Sequence, residues 1–261
     1  MASVNIFVCT YGELATKLTN NFLLSLSRSV YKDFKVFLSS SGQFCPEIDP
    51  NFEYMIGFKH HFETQKHFPE QIKFLYEKVD QDCKWVLLCN DDVMLNKDCL
   101  GSMIKTLEQV QTPLLIEPLS NCDNGKLYIH PIAIKDGETL TVLSQLHYGF
   151  DEIEPVKDRL INGEMLFKMP GIQFVEWVAF YCAMISKENY DLVGGIDPIF
   201  KTGKDDLDFS IRAAQKGIQS AVCTDAFCFH YAGITSTKVI TSDDRKFNED
   251  YFKEKYKTLK E

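Results

Sequence analysis

Basic side chains are scarce in this chain: 28 Lys and Arg stand against 37 Asp and Glu, a formal net charge of -9. That balance excludes non-specific binding to nucleic acid or to an anionic membrane, both of which need a basic footprint. It leaves room for an anionic small molecule, because a bound divalent cation reverses the sign locally. No apolar run approaches the roughly 18 residues of a spanning helix, so no transmembrane segment is expected. The first residues, Met1 to Cys9, have no basic n-region, and their apolar run is too short for a secretory signal. The nine cysteines are odd in number, scattered, and form no C-x-x-C pair. A disulfide or zinc framework is therefore not expected, and small hydrophobes in a reducing compartment are. Together these absences predict a cytoplasmic location. Internal repeats and low-complexity linkers are also lacking.

What is present is ordinary globular material. Hydrophobic residues make up 45% of the 261 positions, enough to bury a core that offsets ordering entropy, and the length suits one domain over residues 1–261. Val4 to Cys9 is an apolar, β-branched run that reads as a buried strand. It stops at Thr10-Tyr11-Gly12, and Leu14, Leu18, Phe22 and Leu26 then mark one face of a helix over about Glu13 to Ser27. Phe34 to Leu38 reads as a second strand closed by Ser39-Ser40-Ser41-Gly42, Pro69 to Val79 as a helix, and Trp85 to Cys89 as a strand. Strands alternating with helices predict an α/β layered fold with a mainly parallel central sheet. From Pro113 to Pro170 the apolar patches at Leu127 to Ile134 and Leu140 to Leu146 carry no assignable period. Lys187 to Val193 predicts a short helix ended by Gly194-Gly195, and Asp206 to Lys216 a helix ended by Gly217. Beyond Ser236 the chain turns polar, with a Phe247–Tyr251–Lys255 spacing that suits a surface helix or a loosely held tail.

Three segments could carry chemistry. In Trp85-Val-Leu-Leu-Cys-Asn90-Asp91-Asp92, two adjacent carboxylates stand where a buried strand emerges, the place where open α/β sheets bind ligands. Oxygen ligands there suit magnesium or manganese, which leave positions for phosphate oxygens and water. The alternative is a turn or a helix cap. In Lys204-Asp205-Asp206-Leu207-Asp208, acids open a helix. They can cap its free N–H groups, Asp208 can pair with Arg212 one turn on, or one carboxylate can serve as a general base at a cleft. His230, in Phe227-Cys228-Phe229-His230-Tyr231, is a structural imidazole unless it lies near the acidic turn, where it would complete a manganese site. His60, His61 and His67 read as surface or loop residues.

Taken in order, these segments resemble the family-2 glycosyltransferases of the GT-A fold over roughly residues 4–235. The family's "VGGFD" turn corresponds to Val193-Gly194-Gly195-Ile196-Asp197, its "EDVD…R" helix start to Asp205-Asp206-Leu207-Asp208 with Arg212, and its later His to His230. Its "DxD"-type element, in the "NxD" form, corresponds to Asn90-Asp91-Asp92. The resemblance implies a single GT-A, Rossmann-like domain with a smaller acceptor-side subregion. About residues 1–100 would be the nucleotide-binding half, about 101–235 the acceptor-binding half, and 236–261 a C-terminal tail or helix. It further implies that Asp92 binds Mn2+ or Mg2+ bridging the donor diphosphate and that His230 is a further metal or diphosphate ligand. Asn90 and Asp91 would help hold the metal shell and ribose, and Thr10 and Tyr11 would line the base pocket. Glu176 and Trp177 would face the donor sugar or acceptor, and Asp206 would be the general base, with Asp205 the other candidate. Two positions depart from the family pattern: Ser39-Ser40-Ser41-Gly42 replaces an acidic "DDGS"-like turn, and Asp205 replaces a Glu.

The implied activity is inverting transfer of a sugar from a UDP-sugar to a hydroxyl of a glycan, on an oligosaccharide, glycolipid or glycoprotein. A sugar nucleotidyltransferase would instead open on a Gly-rich, basic phosphate loop, which Thr10-Tyr11-Gly12-Glu13 is not. A non-catalytic nucleotide-sugar or carbohydrate-binding module would need no intact acidic pairs.

Overall fold

The computed structural model describes residues 3–79, 82–122, 127, 132–144, 148–166, 171–234 and 240–257. Parts of both unassigned apolar patches, residues 128–131 and 145–146, lie outside these, as do 236–239 and 258–261 of the C-terminal segment. The chain opens with strand β1 (Val4–Tyr11), helix α1 (Ala15–Arg28) and strand β2 (Phe34–Ser41). A 3-10 turn over Pro50–Met55 leads to β3 (Ile56–Phe62), followed by α2 (Phe68–Lys78), β4 (Trp85–Asn90), a short β5 (Val93–Leu95), α3 (Cys99–Gln109) and β6 (Leu114–Ser120). A small antiparallel sheet of β7 (Ile132–Asp136), β8 (Thr139–Leu143) and β9 (Glu164–Met165) encloses short helices α4 (Phe150–Ile153) and α5 (Lys157–Asn162). The chain continues through β10 (Ile172–Phe174), β11 (Cys182–Ser186), α6 (Lys187–Val193), α7 (Asp205–Gln215), β12 (Gln219–His230) and α8 (Ser242–Lys255).

The large sheet has strand order β10-β12-β6-β11-β4-β1-β2-β3, with β5 pairing to β12 off this path. Strands β1, β2, β3, β4, β6 and β12 run one way; β5, β10 and β11 run against them. The central sheet is thus mostly parallel and flanked by helices. Alternation along its strands feeds two cores, as a pleat requires. Val4, Ile6, Val8, Trp85, Leu87 and Cys89 face one side, with Phe22 and Leu26 of α1 and Leu100 and Met103 of α3. Phe7, Cys9, Val86 and Leu88 face the other, with Ile72 and Leu75 of α2 and Phe209 of α7. All nine cysteines are free, seven of them buried.

Several elements differ from the sequence reading. β6 reads Leu-Leu-Ile-Glu-Pro-Leu-Ser, and an internal Pro argues against a central strand. The β6–β12 register slips between Cys223 and Phe227, opposite Pro118 and Leu119, so the proline stands at a bulge, one of the places a strand tolerates it. His60 and His61 are not loop residues but lie on β3. The His60 ring packs against those of Phe62 and Phe74, which also contact each other, and His61 Nδ1 is 2.8 Å from Ser40 Oγ. Beyond Ser236, of the two expected alternatives, the surface helix is the one realised, as α8.

Because six strands share a direction, their carboxyl ends gather at one edge of the sheet. That edge receives Tyr11, Ser41, Phe62, Asn90, Ser120 and His230. α7 runs antiparallel to the β12 that follows it, so the α7 N-terminus, with Asp205 and Asp206, is delivered to the same edge.

Candidate active site

The site is built around the turn that ends β4. β1 pairs with β4 in parallel, with Cys9 opposite Asn90, so Thr10 lies beside Asp91. The Thr10 hydroxyl donates a hydrogen bond to the Asp91 carboxylate and accepts one from Thr19 at 3.2 Å. Asp91 is 3% exposed. Burial, and next the negative charge of Asp92, push its pKa well above the usual carboxylate range, against the Thr10 hydroxyl and backbone N–H groups that favour the anion.

After the turn the chain reverses into β5, whose antiparallel register with β12 sets Val93 opposite His230. This register places Asp92 against the imidazole: His230 Nε2 is 3.2 Å from Asp92 Oδ1. The backbone is locked at the same point, since the Tyr231 N–H donates to the Asp92 carbonyl at 3.0 Å. Burial works against a charged imidazole, but the Asp92 carboxylate outweighs it and raises the His230 pKa to about 10. Two residues without a sequence signal orient His230. Asn121, just past β6, accepts from its N–H at 2.8 Å and donates to its carbonyl at 2.9 Å. The Tyr181 ring stacks on the imidazole at 4.9 Å.

The Asp92–His230 pair would suit a hard divalent cation once the imidazole, charged beside Asp92 in the absence of metal, gives up its proton. Among the described residues Asp92 Oδ1 is buried without a hydrogen bond and faces the His230 imidazole, so a metal would have an oxygen to take. Among the described residues no group of three or more His, Cys, Asp or Glu converges to cage an ion. One carboxylate and one imidazole would leave the remaining positions to water and phosphate oxygens, as magnesium and manganese accept.

The acidic helix packs against β12 and α6, on the sheet face that also carries Cys9. The Cys9 thiol, at the end of β1, is raised by burial and also feels the charges of both Asp91 and Asp205, so the two acidic clusters flank one strand end. Asp205 is 4% exposed and accepts from the Gly203 N–H at 2.5 Å. Burial, then repulsion from Asp206, pushes its pKa up to about 7. Asp206 is half-buried, and its Oδ1 accepts from the Leu207 N–H at 2.8 Å, so part of the capping alternative is realised. Asp208 and Arg212 do pair, at 2.9 and 2.8 Å, and Arg212 also donates to the Val193 and Gly195 carbonyls. That guanidinium ties α7 to the Gly194-Gly195 turn.

Tyr11 lines a cleft of about 430 Å³ at the ends of β1, β2 and β3, with Glu13, Ser41, Gln43, Phe44 and Gln65 among its walls. A larger cleft of about 490 Å³, bordered by Tyr76, Tyr190, Asp197, Arg212 and Lys255, includes none of the sequence-derived site residues. Glu176 is exposed and Trp177 half-buried in the segment between β10 and β11. That segment is tied to α7 through the Val178 N–H, which donates to Ser210 Oγ at 3.2 Å.

No family model and no curated protein matches the sequence. Solved structures do. The fold matches GalNAc-T7 bound to UDP, GalNAc and Mn2+, with 10% identity and a TM-score of 0.60 over 88% of this chain and 44% of that one. It matches residues 1–349 of TarS from S. aureus, with 13% identity and a TM-score of 0.53 over 87% of this chain and 60% of that one. It also matches the mannosyltransferase PcManGT from Pyrobaculum calidifontis bound to GDP-Man and Mn2+, with 13% identity and a TM-score of 0.54 over 89% and 57%. The chain has the GT-A fold, and the matched region spans about half the length of those glycosyltransferase chains.

Proposed function

We propose that this protein transfers a sugar from a nucleoside diphosphate sugar, a UDP-sugar, to a hydroxyl of a glycan acceptor with inversion at the anomeric carbon. The observation that carries the proposal is the pairing of Asp92 with His230 at the sheet edge that also holds Thr10, Tyr11 and the acidic start of α7. GalNAc-T7 and PcManGT, which share the fold, were crystallised with Mn2+ and with UDP or GDP-Man.

In this reading residues 1–100 hold the nucleotide and 101–235 the acceptor. Tyr11 and Phe44 supply aromatic surface for the base in the 430 Å³ cleft, and its Gln and Glu side chains supply hydrogen bonds. Asn90 and Asp91 border the ribose, with Asp91 kept in place by Thr10. Asp92 and, once deprotonated, His230 would hold a divalent cation, Mn2+ or Mg2+, which would supply Lewis-acid chemistry toward a leaving diphosphate. Asp206, the more accessible carboxylate of its pair, takes the proton from the attacking hydroxyl. Glu176 and Trp177 border the donor sugar or the acceptor. Asp205 is buried and engaged by the Gly203 N–H, which leaves the more accessible Asp206 as the carboxylate an acceptor hydroxyl can reach.

The test is calorimetric titration with a panel of nucleoside diphosphate sugars, first with Mn2+ and then with EDTA, followed by release of free nucleotide. One donor should bind in a metal-dependent way. Asp206→Asn should then lower turnover by roughly 10²–10⁴-fold while donor affinity stays unchanged. Retention of more than a few per cent of activity removes Asp206 as the base, and no binding to any donor removes the transferase reading.

A further inference from the structure

The loop that leads into Asp205 is conformationally costly, and what holds it is a helix outside the segments that suggested a catalytic role. Thr202, Gly203 and Lys204 follow one another with φ of 52°, 107° and 67°. Glycine adopts that region freely, but Thr202 and Lys204 do so only under external constraint. The constraint comes chiefly from Asn248 on α8. Its side chain is 3% exposed. Its Oδ1 accepts from the Lys201 N–H at 2.8 Å, and its Nδ2 faces the carbonyls of Gly203 at 2.9 Å, Thr202 at 3.2 Å and Lys201 at 3.4 Å. One amide thus ties the Lys201 N–H and the Thr202 and Gly203 carbonyls of this stretch to α8. A second tie comes from α2, where the Phe68 N–H donates to Thr202 Oγ1 at 3.0 Å.

The constraint reaches the acids directly. The N–H of Gly203, whose carbonyl Asn248 holds, donates to Asp205 Oδ1, and the next residue is Asp206. α8 is itself anchored by Lys255, whose Nζ is 2.6 Å from both Asp197 and Asp208, and by Tyr256, whose hydroxyl donates to Asp208 at 2.7 Å. Lys204 adds an exposed contact to Glu249 at 3.3 Å.

We infer that Asn248 is a positioning residue, which holds the 201–204 loop in its left-handed course and so fixes the Asp205–Asp206 pair at the mouth of the site. The inference rests on the reading of Asp206 as the base. Asn248 touches neither Thr10, Tyr11, Asp92 nor His230, so donor binding should not depend on it.

The test uses Asn248→Ala and the isosteric Asn248→Asp, which keeps the acceptor for Lys201 but turns a carboxylate toward three carbonyl oxygens. Turnover of the donor that the wild type accepts should fall by about 10²-fold, the effect of a small misplacement of a reacting group. Donor affinity by calorimetry should stay within about threefold. Amide hydrogen exchange at residues 203–208 should accelerate while β1 and β4 keep their protection. Lys204→Gly, added to Asn248→Ala, removes one strained side-chain position and should recover part of the lost turnover. Wild-type turnover in either folded variant, or unchanged exchange at 203–208, overturns the inference. If the wild type turns over no donor, the transferase reading fails, and the exchange measurement still decides whether Asn248 holds the acidic loop.

Discussion

Replacing Asp205 by asparagine tests the electrostatics of the acidic pair without relying on any substrate. In the folded chain, burial and then repulsion from Asp206 move the Asp205 pKa from 3.8 up to about 7, against the opposing N–H of Gly203. A shift of about three units at roughly 1.4 kcal/mol each makes the ionised form about 4 kcal/mol less favourable folded than unfolded. The folded chain therefore holds more protons than the unfolded one between about pH 4 and 7. The associated stability is fully present below about pH 4 and is lost as pH rises through 7. Asp205→Asn cannot ionise and retains an oxygen to accept from Gly203. Its stability advantage over wild type should grow by about 2–3 kcal/mol between pH 4.5 and pH 8, allowing for water around the half-buried Asp206. At about 2–4 °C per kcal/mol for a chain of this size, the Tm difference should widen by roughly 5–10 °C in calorimetric scans. A Tm difference that stays constant across that pH range refutes the reasoning, because Asp205 would then titrate alike in both states. In the same variant, turnover within a few-fold of wild type would leave Asp206 as the base.

Two further outcomes follow from the geometry. Asp92→Asn and His230→Ala should each weaken Mn2+-dependent donor binding by more than about tenfold and leave binding in EDTA unchanged, as read by calorimetry; equal losses with and without metal would remove the pair as a cation site. Asp208 is fully buried between Arg212 and Lys255, so Asp208→Ala, which removes the carboxylate they share, should cost about 3–5 kcal/mol in denaturant unfolding. A cost under about 1 kcal/mol would show that water replaces the lost carboxylate.

The readable parts of the fold were those whose signal is local. β1, β2 and β4 are continuous apolar runs because both faces of a parallel strand are buried, and α1, α2 and α7 repeat their apolar residues at helical spacing. β6 escaped because Glu117 and Pro118 interrupt it, and the bulge in β12 that accommodates the proline lies far along the chain. α8 was left open between a surface helix and a loose tail because it is polar on most of its surface, and the residue it buries is Asn248 rather than an apolar face. Within the site, the acids at strand and helix ends could be singled out from the sequence, since turns after buried strands are where side chains meet ligands.

The linear order of residues determined the strand-helix alternation, the apolar stripes and the positions of the acidic turns, all of which depend on neighbours within a few residues. It could not determine that Asp92 meets His230, because that contact depends on a single register, Val93 opposite His230, and a one-residue slip would turn each side chain to the other face. Nor could it distinguish Asp205 from Asp206, which adjoin in sequence but differ in burial once α7 packs onto the sheet. The hold of Asn248 on the loop before them was likewise decided by tertiary structure, since hydrogen bonds to backbone carbonyls carry no pattern of side chains for a sequence to reveal.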